Sequence, residues 1–300
     1  MSETCECEIC KNKLPFAMPK GIIEALTNYN LVLFAGAGIS TETKQVFKET
    51  LYEEVFLDLK ESNENISLMS KYCNNTVNGR QKLLEKIKKR FDYVHQYNEL
   101  YSEASRFHTE ISRFWMLENI ITTNWDDYFE RESGAIPIVT PKDFVFHNIR
   151  QRKVFKIHGS ISNYGSIVAT KEDYNECYKS LSTGLIGASL KTLLATKTIL
   201  FVGYSFRDFD FNKVIELLKL EMGDVFPHLY IVTLDTEVPK SLEGFSFTLI
   251  NTSGTYFFEK IREHLENKNL IMKEEQIDRI YKVKHVLRTA HTKLSVIVKT

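Results

Sequence analysis

An imidazole and a carboxamide are the side chains of this sequence best suited to chemistry at neutral pH. His158, in Lys156-Ile157-His158-Gly159-Ser160, belongs to the residue type with an ordinary pKa of about 6.5, so it can take up or release a proton near neutral pH. Asn124, in Thr122-Thr123-Asn124-Trp125-Asp126, places a polar amide where a strand should hand over to a loop, the place where open α/β sheets bind ligands. Gly36-Ala37-Gly38-Ile39-Ser40 adds two glycines that let the backbone approach a phosphate, with the N–H groups of a following helix behind them. A second glycine turn, Phe201-Val202-Gly203-Tyr204-Ser205, leads through Asp208 and Asp210 into an acidic helix start. Each motif also has a structural reading. The glycines suit a plain turn, and Thr41 stands where a full dinucleotide fingerprint has its third glycine. Asn124 and Asp126 suit a capped turn, Ser205 and Asp208 suit a helix cap, and a lone histidine is more often structural than catalytic.

The elements that would carry these residues weigh against reading them singly. Leu31-Val32-Leu33-Phe34-Ala35 is an unbroken apolar run ended by the glycine turn, the pattern of a parallel strand covered on both faces. Similar runs predict strands at 119–123, 136–139, 154–157, 198–202, 229–233 and 247–250. Helices are expected over 19–28, begun by Pro19, and over 172–196, 209–222 and 255–266. A helix is also expected after the glycine turn, where Phe47, Leu51, Val55 and Leu59 recur every four residues. From about 60 to 115 only helical patterns occur, with loops at 62–65 and 74–79. The alternation predicts an α/β fold, a doubly wound parallel (Rossmann-like) sheet with a helical insertion at about 41–118. In that sheet the four motifs all sit at carboxyl ends of strands, the edge where open α/β sheets bind ligands, so they can converge on one crevice.

Composition narrows the function classes. Lys plus Arg equals Asp plus Glu at 39 each, so no overall field draws the chain to nucleic acid or a membrane surface. No stretch reaches the roughly 18 apolar residues of a membrane span, and the first twenty residues have no signal-like apolar run. A soluble, cytoplasmic protein is expected. Five cysteines do not make a disulfide framework. Cys5, Cys7 and Cys10 lie in an N-terminal tail, residues 1–18, and are an incomplete zinc set, so zinc is not expected. The core domain is expected over 19–266. The remaining residues, 267–300, form a basic extension in which, from Lys268 on, eight Lys or Arg face three Asp or Glu. A solvated helix or a docking surface would explain that excess, and direct nucleic-acid binding is the weakest reading.

Taken together, GAGIS, TTNWD, KIHGS and GYS occur in an order and spacing that resemble the sirtuin family across residues 22 to about 266. The resemblance implies an NAD site in which Asn124 and His158 are catalytic. It implies a nucleotide-binding set of Ala35, Gly36, Ala37, Gly38, Ser40, Thr123, Asp126, Gly203 and Ser205. The glycine turn would lie at the pyrophosphate, Asp126 by the nicotinamide and ribose, and Gly203 and Ser205 toward the ribose and phosphates. Protein deacylases of the family carry two Cys-x-x-Cys pairs in a zinc module after the histidine, whereas residues 161–200 hold Cys177 alone. Ile167-Val168-Ala169-Thr170-Lys171-Glu172-Asp173-Tyr174 likewise replaces the deacylase peptide-binding loop. These departures resemble the bacterial sirtuin-like subgroup whose members consume NAD as anti-phage effectors. That resemblance implies NAD as a substrate, cleaved to nicotinamide and ADP-ribose, and a homo-oligomer or a defence partner protein as the controlling assembly. A protein deacylase and a non-catalytic NAD or ADP-ribose sensor are the alternatives.

Overall fold

The computed structural model describes residues 7–41, 47, 49–59, 66–206, 209–235 and 242–271. All seven expected strands form: β1 (Leu31–Ala35), β2 (Asn119–Thr122), β3 (Ile136–Ile138), β4 (Lys153–Lys156), β5 (Thr198–Val202), β6 (Leu229–Thr233) and β7 (Phe247–Asn251). They pair in parallel in the order β3-β4-β2-β1-β5-β6-β7. The chain builds leftward from β1 through β2, then returns to place β5 on the other side of β1. The direction of growth therefore reverses between β1 and β5, which makes their carboxyl ends the switch-point crevice of this sheet.

The helices are α1 (Glu8–Lys11), α2 (Lys20–Thr27), α3 (Gly38–Thr41), α4 (Leu51–Leu59), α5 (Ile66–Asn75), α6 (Gly79–Gln96) and α7 (Asn98–Ser112). They are followed by α8 (Tyr128–Ser133), α9 (Lys171–Thr183), α10 (Leu185–Thr196), α11 (Phe209–Met222) and α12 (Gly254–Asn267). Strand side chains alternate between two covered faces. Val32, Phe34, Ile121, Phe155, Ile199 and Phe201 share a core with Leu181 of α9, Leu190 and Leu194 of α10 and Val214 and Leu218 of α11. Leu33, Ile120, Val154 and Leu200, on the opposite face, are also fully buried. There Phe107 of α7 meets Phe129 of α8 and Phe258 of α12 edge to face. Covering on both faces explains why β1 is buried at all five positions.

The insertion between β1 and β2 is helical, as expected, but α4 starts later than the four-residue spacing suggests. Phe47 lies outside α4, because Thr50 and Glu53 form a reciprocal cap that sets the helix start at Leu51. The Phe47 ring instead sits under the Arg90 guanidinium at 4.1 Å. The helix expected over 172–196 is two helices, α9 and α10, broken at Gly184. The loop expected at 74–79 is shorter, since α5 runs to Asn75 and α6 begins at Gly79. Residues 62–65 lie outside the described residues. The segment before α2 is fastened: the Asn12 carbonyl accepts from the Ser253 amide at 3.0 Å, and the Leu14 carbonyl accepts from the Thr252 hydroxyl at 2.9 Å.

At one sheet edge, the Ile136 amide donates to the Arg152 carbonyl at 2.8 Å. Alternation then turns the nitrogen of Pro137 to the open side, where the ladder asks for no donor. The chain divides into two compact units, residues 1–258 and 259–300. In the second, the described part is the rest of α12, closed by Asn269 at φ 55° with the Leu270 amide on the Leu265 carbonyl at 2.9 Å. The basic segment from residue 272 on lies outside the described residues.

Candidate active site

Strand register brings the four motifs to one edge. Ala35 pairs with Thr122 and with Val202, and Thr122 pairs with Lys156. Asn124 and His158 thus each stand two residues beyond a paired position. With strands about 4.8 Å apart, the exits from β4 through β2 and β1 to β5 span roughly 14 Å.

On the β1–β5 side the glycines serve backbone contact. The Gly36 amide donates to the Val202 carbonyl at 2.9 Å and the Gly38 amide to the Gly203 carbonyl at 2.7 Å. A Cβ on Gly36 would lie 2.5 Å from the Gly203 oxygen, and one on Gly203 would lie 2.5 Å from the Ile39 nitrogen. Gly203 also has φ +60°, a conformation that suits glycine. Ala35 is buried, Ala37 and Ser205 are exposed and Ser40 lies in the short helix α3. Arg207 and Asp208 lie outside the described residues. Tyr204 and Phe206 turn back into the core against Phe201, at ring separations of 5.7 and 4.8 Å.

On the β2–β4 side the work is done by buried polar groups. The Thr122 hydroxyl donates to the Ala35 carbonyl at 2.8 Å and accepts from the Asn124 amide at 3.0 Å, so it joins the glycine strand to the Asn124 turn. Thr123 is the bridging residue of that turn and is half-buried. Asn124 and His158 are both buried. The Ile161 amide donates to the Trp125 carbonyl at 2.9 Å, a direct bond between the Asn124 loop and the His158 loop. His158 lies edge-on to Tyr174 of α9 at 5.0 Å, and its carbonyl accepts from the Val168 amide at 3.0 Å. Gly159 is at φ +84°, and a Cβ there would meet the Ser166 oxygen at 2.1 Å, which shows how tightly the loop after His158 folds back.

Asp126, expected beside a nicotinamide, has its carboxylate turned inward. It accepts from the Tyr128 amide at 3.3 Å and lies 3.7 Å from Nε2 of the fully buried His108. Burial pushes the His108 imidazole down to about 4, with Asp126 opposing. Below Asp126, the ammonium of Lys156 donates to the Asp126 carbonyl and pairs with Glu130 of α8 at 3.2 Å. Burial raises the Glu130 carboxyl, against the pull of Lys156. His108, Glu130 and the role of Lys156 escape the sequence reading. The one signal for Lys156 is a lysine inside the otherwise apolar run 154–157.

The insertion helices pack directly on both loops. Val55, Leu68, Met69, Leu83 and Ile87 cluster with Ile161 and Ile167, and Trp125 packs against them. Arg80 of α6 donates to the Ile167 carbonyl at 2.6 Å and pairs with Asp173 at 2.6 Å. A cavity of about 530 Å³ lies at the amino ends of β5 and β6, lined by Glu24, Asn28, Thr198 and His228, away from these loops. Among the described residues no group of three or more His, Cys, Asp or Glu side chains is placed to hold a metal. Among them, too, no helix is long and apolar enough to cross a membrane.

A seven-stranded parallel sheet with glycine turns at its switch point and an Asn and a His on adjoining strand ends is a Rossmann-like α/β fold. Residues 118–250 match the family model of the SIR2-like domain. The chain therefore carries a SIR2-like domain. It is 31% identical over 215 residues to the NAD(+) hydrolase ThsA of Cytobacillus dafuensis, covering 68% of this chain and 41% of that protein. It is 28% identical to the NAD(+) hydrolase ThsA of Bacillus cereus (strain MSX-D12) over 236 residues, 75% of this chain and 48% of that one. Defense-associated sirtuin 2 of Bacillus subtilis is 24% identical over 301 residues, 87% of this chain and 28% of that protein. The chain thus spans less than half the length of each of these relatives.

Proposed function

We propose that this chain hydrolyses NAD to nicotinamide and ADP-ribose as an effector of bacterial anti-phage defence. The bond between ribose C1′ and the nicotinamide nitrogen breaks, nicotinamide leaves neutral, and a water oxygen bonds to C1′ as its proton is released. The leaving group is already cationic, so strong acid catalysis is unnecessary. The site's tasks are to orient the ribose, favour an oxocarbenium-like centre and admit water. Asn124 holds the water or the ribose, and His158 accepts the proton. The turns at 35–40 and 203–205 flank the phosphates and ribose, with Thr123 beside Asn124, while Asp126 braces the nicotinamide end from beneath.

The observation that carries this reading is the bond between the Ile161 amide and the Trp125 carbonyl, which ties the loops of Asn124 and His158 together at the crevice edge. The relatives named as NAD(+) hydrolases support the choice of substrate and reaction. Because free NAD hydrolysis harms the cell, we take the active form to be cytoplasmic and controlled by assembly, as a homo-oligomer or with a defence partner protein.

The test is chromatography of nicotinamide and ADP-ribose after incubation of the protein with NAD, with no peptide added. N124A and H158A should each lose at least about 100-fold in rate while keeping the parent unfolding midpoint. Intact NAD with the parent protein in every assembly state, or turnover that requires an acyl-lysine peptide, rejects the proposal. A strict monomer at full activity in size-exclusion chromatography rejects control by assembly.

A further inference from the structure

We infer that Lys156 is a positioning residue, whose buried ammonium reaches from the strand that delivers His158 to the turn that delivers Asn124 and holds the two in register. The inference rests on the reading that Asn124 and His158 serve one NAD site.

Lys156 is the last residue of β4 and lies two positions before His158. Its side chain is fully buried, on the same face of the strand as Val154. Water cannot solvate the ammonium there, and an ammonium taken from water costs several kcal/mol unless it is paired and hydrogen-bonded. Glu130 supplies the countercharge at 3.2 Å. A methionine or leucine would fill the same space without desolvating two ions, and exchanging a buried ion pair for apolar residues is often neutral or stabilising. Stability alone therefore does not account for a lysine here. What an apolar residue cannot supply is the directed bond to the Asp126 carbonyl.

That bond acts on a short turn held from three sides. The Thr122 hydroxyl takes the Asn124 amide, the Ile161 amide takes the Trp125 carbonyl, and Lys156 takes the Asp126 carbonyl. Among the described residues, Lys156 is the β4 side chain bonded to this turn. A displacement of β4 relative to β2 would move His158 and, through Lys156, carry the Asn124 turn with it. Misplacement of a catalytic group by about 1 Å can cost about 100-fold in rate, so such a tether bears on turnover more than on substrate binding.

The test separates positioning from packing. K156M leaves Glu130 buried without its countercharge and should lower the unfolding midpoint. E130L/K156M removes both ions and should bring the midpoint back near the parent value. In this double variant kcat should still fall at least about tenfold, with KM changed less than about threefold. Hydrogen exchange of the amides at 124–128 should be at least about tenfold faster, with protection of β1 unchanged. Parent-like protection at 124–128, or a kcat restored together with the midpoint, overturns the inference. Should the double variant fail to fold, E130Q carries the test. It keeps the lysine and its bond to Asp126, so it should retain the protection at 124–128 and a kcat within about threefold of the parent. Loss of both in E130Q overturns the inference. The exchange measurement needs no turnover, so a parent protein that leaves NAD intact refutes the proposed activity and leaves the role of Lys156 to be decided separately.

Discussion

The two halves of the strand-end edge are built by opposite means. At β1 and β5, main chain touches main chain, and the side chains matter by their absence. At β2 and β4, the loops are held by buried hydroxyl, ammonium and carboxylate groups. A backbone contact of the first kind tolerates no added carbon, whereas the second kind can be weakened one bond at a time. One edge thus pairs an inflexible backbone frame with a side whose polar contacts can be adjusted one at a time, the side on which the proposed reaction places its proton transfer.

The sharpest way to break this contrast is G203A. Its left-handed backbone conformation and the 2.5 Å approach of a new Cβ to the Ile39 nitrogen both oppose the methyl group. Left-handed backbone costs about 1–2 kcal/mol and forced overpacking about 1–3, so G203A should lose roughly 2–5 kcal/mol in urea denaturation. A loss below about 0.5 kcal/mol would show that the glycine contact can relax.

A second effect belongs to the polar half and depends on pH. The folded protein holds His108 at about 4, below the ordinary value near 6.5, so the native state resists a proton that the unfolded chain accepts. Stability is intact above about 6.5 and falls as the pH drops from there toward 4, by about 3 kcal/mol over the full interval. H108Q, which cannot titrate, should flatten the difference between denaturation curves at pH 7 and near pH 4.5. An equal acid loss in both proteins would assign it to other groups.

The smallest change tests the joint between the halves. T122V removes both hydroxyl bonds, to the Ala35 carbonyl and from the Asn124 amide, and should cost about 1–3 kcal/mol. If the halves are coupled through this hydroxyl, the losses in T122V and G203A will not add. Strict additivity would make the two sides independent.

Much of this frame is legible in the residues. A buried parallel strand must be apolar on both faces, so LVLFA and TILFV announce themselves, and the glycine turns mark where they end. That Asn124 and His158 leave strand ends at the same edge follows from a parallel sheet, whereas the adjacency of β2 and β4 is not visible in the runs. The start of α4 is less legible, because Phe47 keeps the helical spacing and only the Thr50–Glu53 cap ends it. The inward turn of Asp126 has no periodic signal, since it follows from a local turn in which the Tyr128 amide, two residues on, donates to its carboxylate. Lys156 is hidden for a different reason. A charged residue in a strand reads as solvent-facing until the helix bearing Glu130 is placed over it.

Pro137 bears on how copies of this domain can associate. A sheet edge grows when an incoming strand finds alternating donors and acceptors, and at the middle of β3 the donor facing outward is missing. Strand addition at that side is therefore disfavoured at Pro137, which offers no donor. An edge proline of this kind favours contact through side-chain surfaces over strand pairing at that flank. The same proline works against a continuous sheet running from copy to copy at that edge, and against the aggregation that an unprotected edge invites.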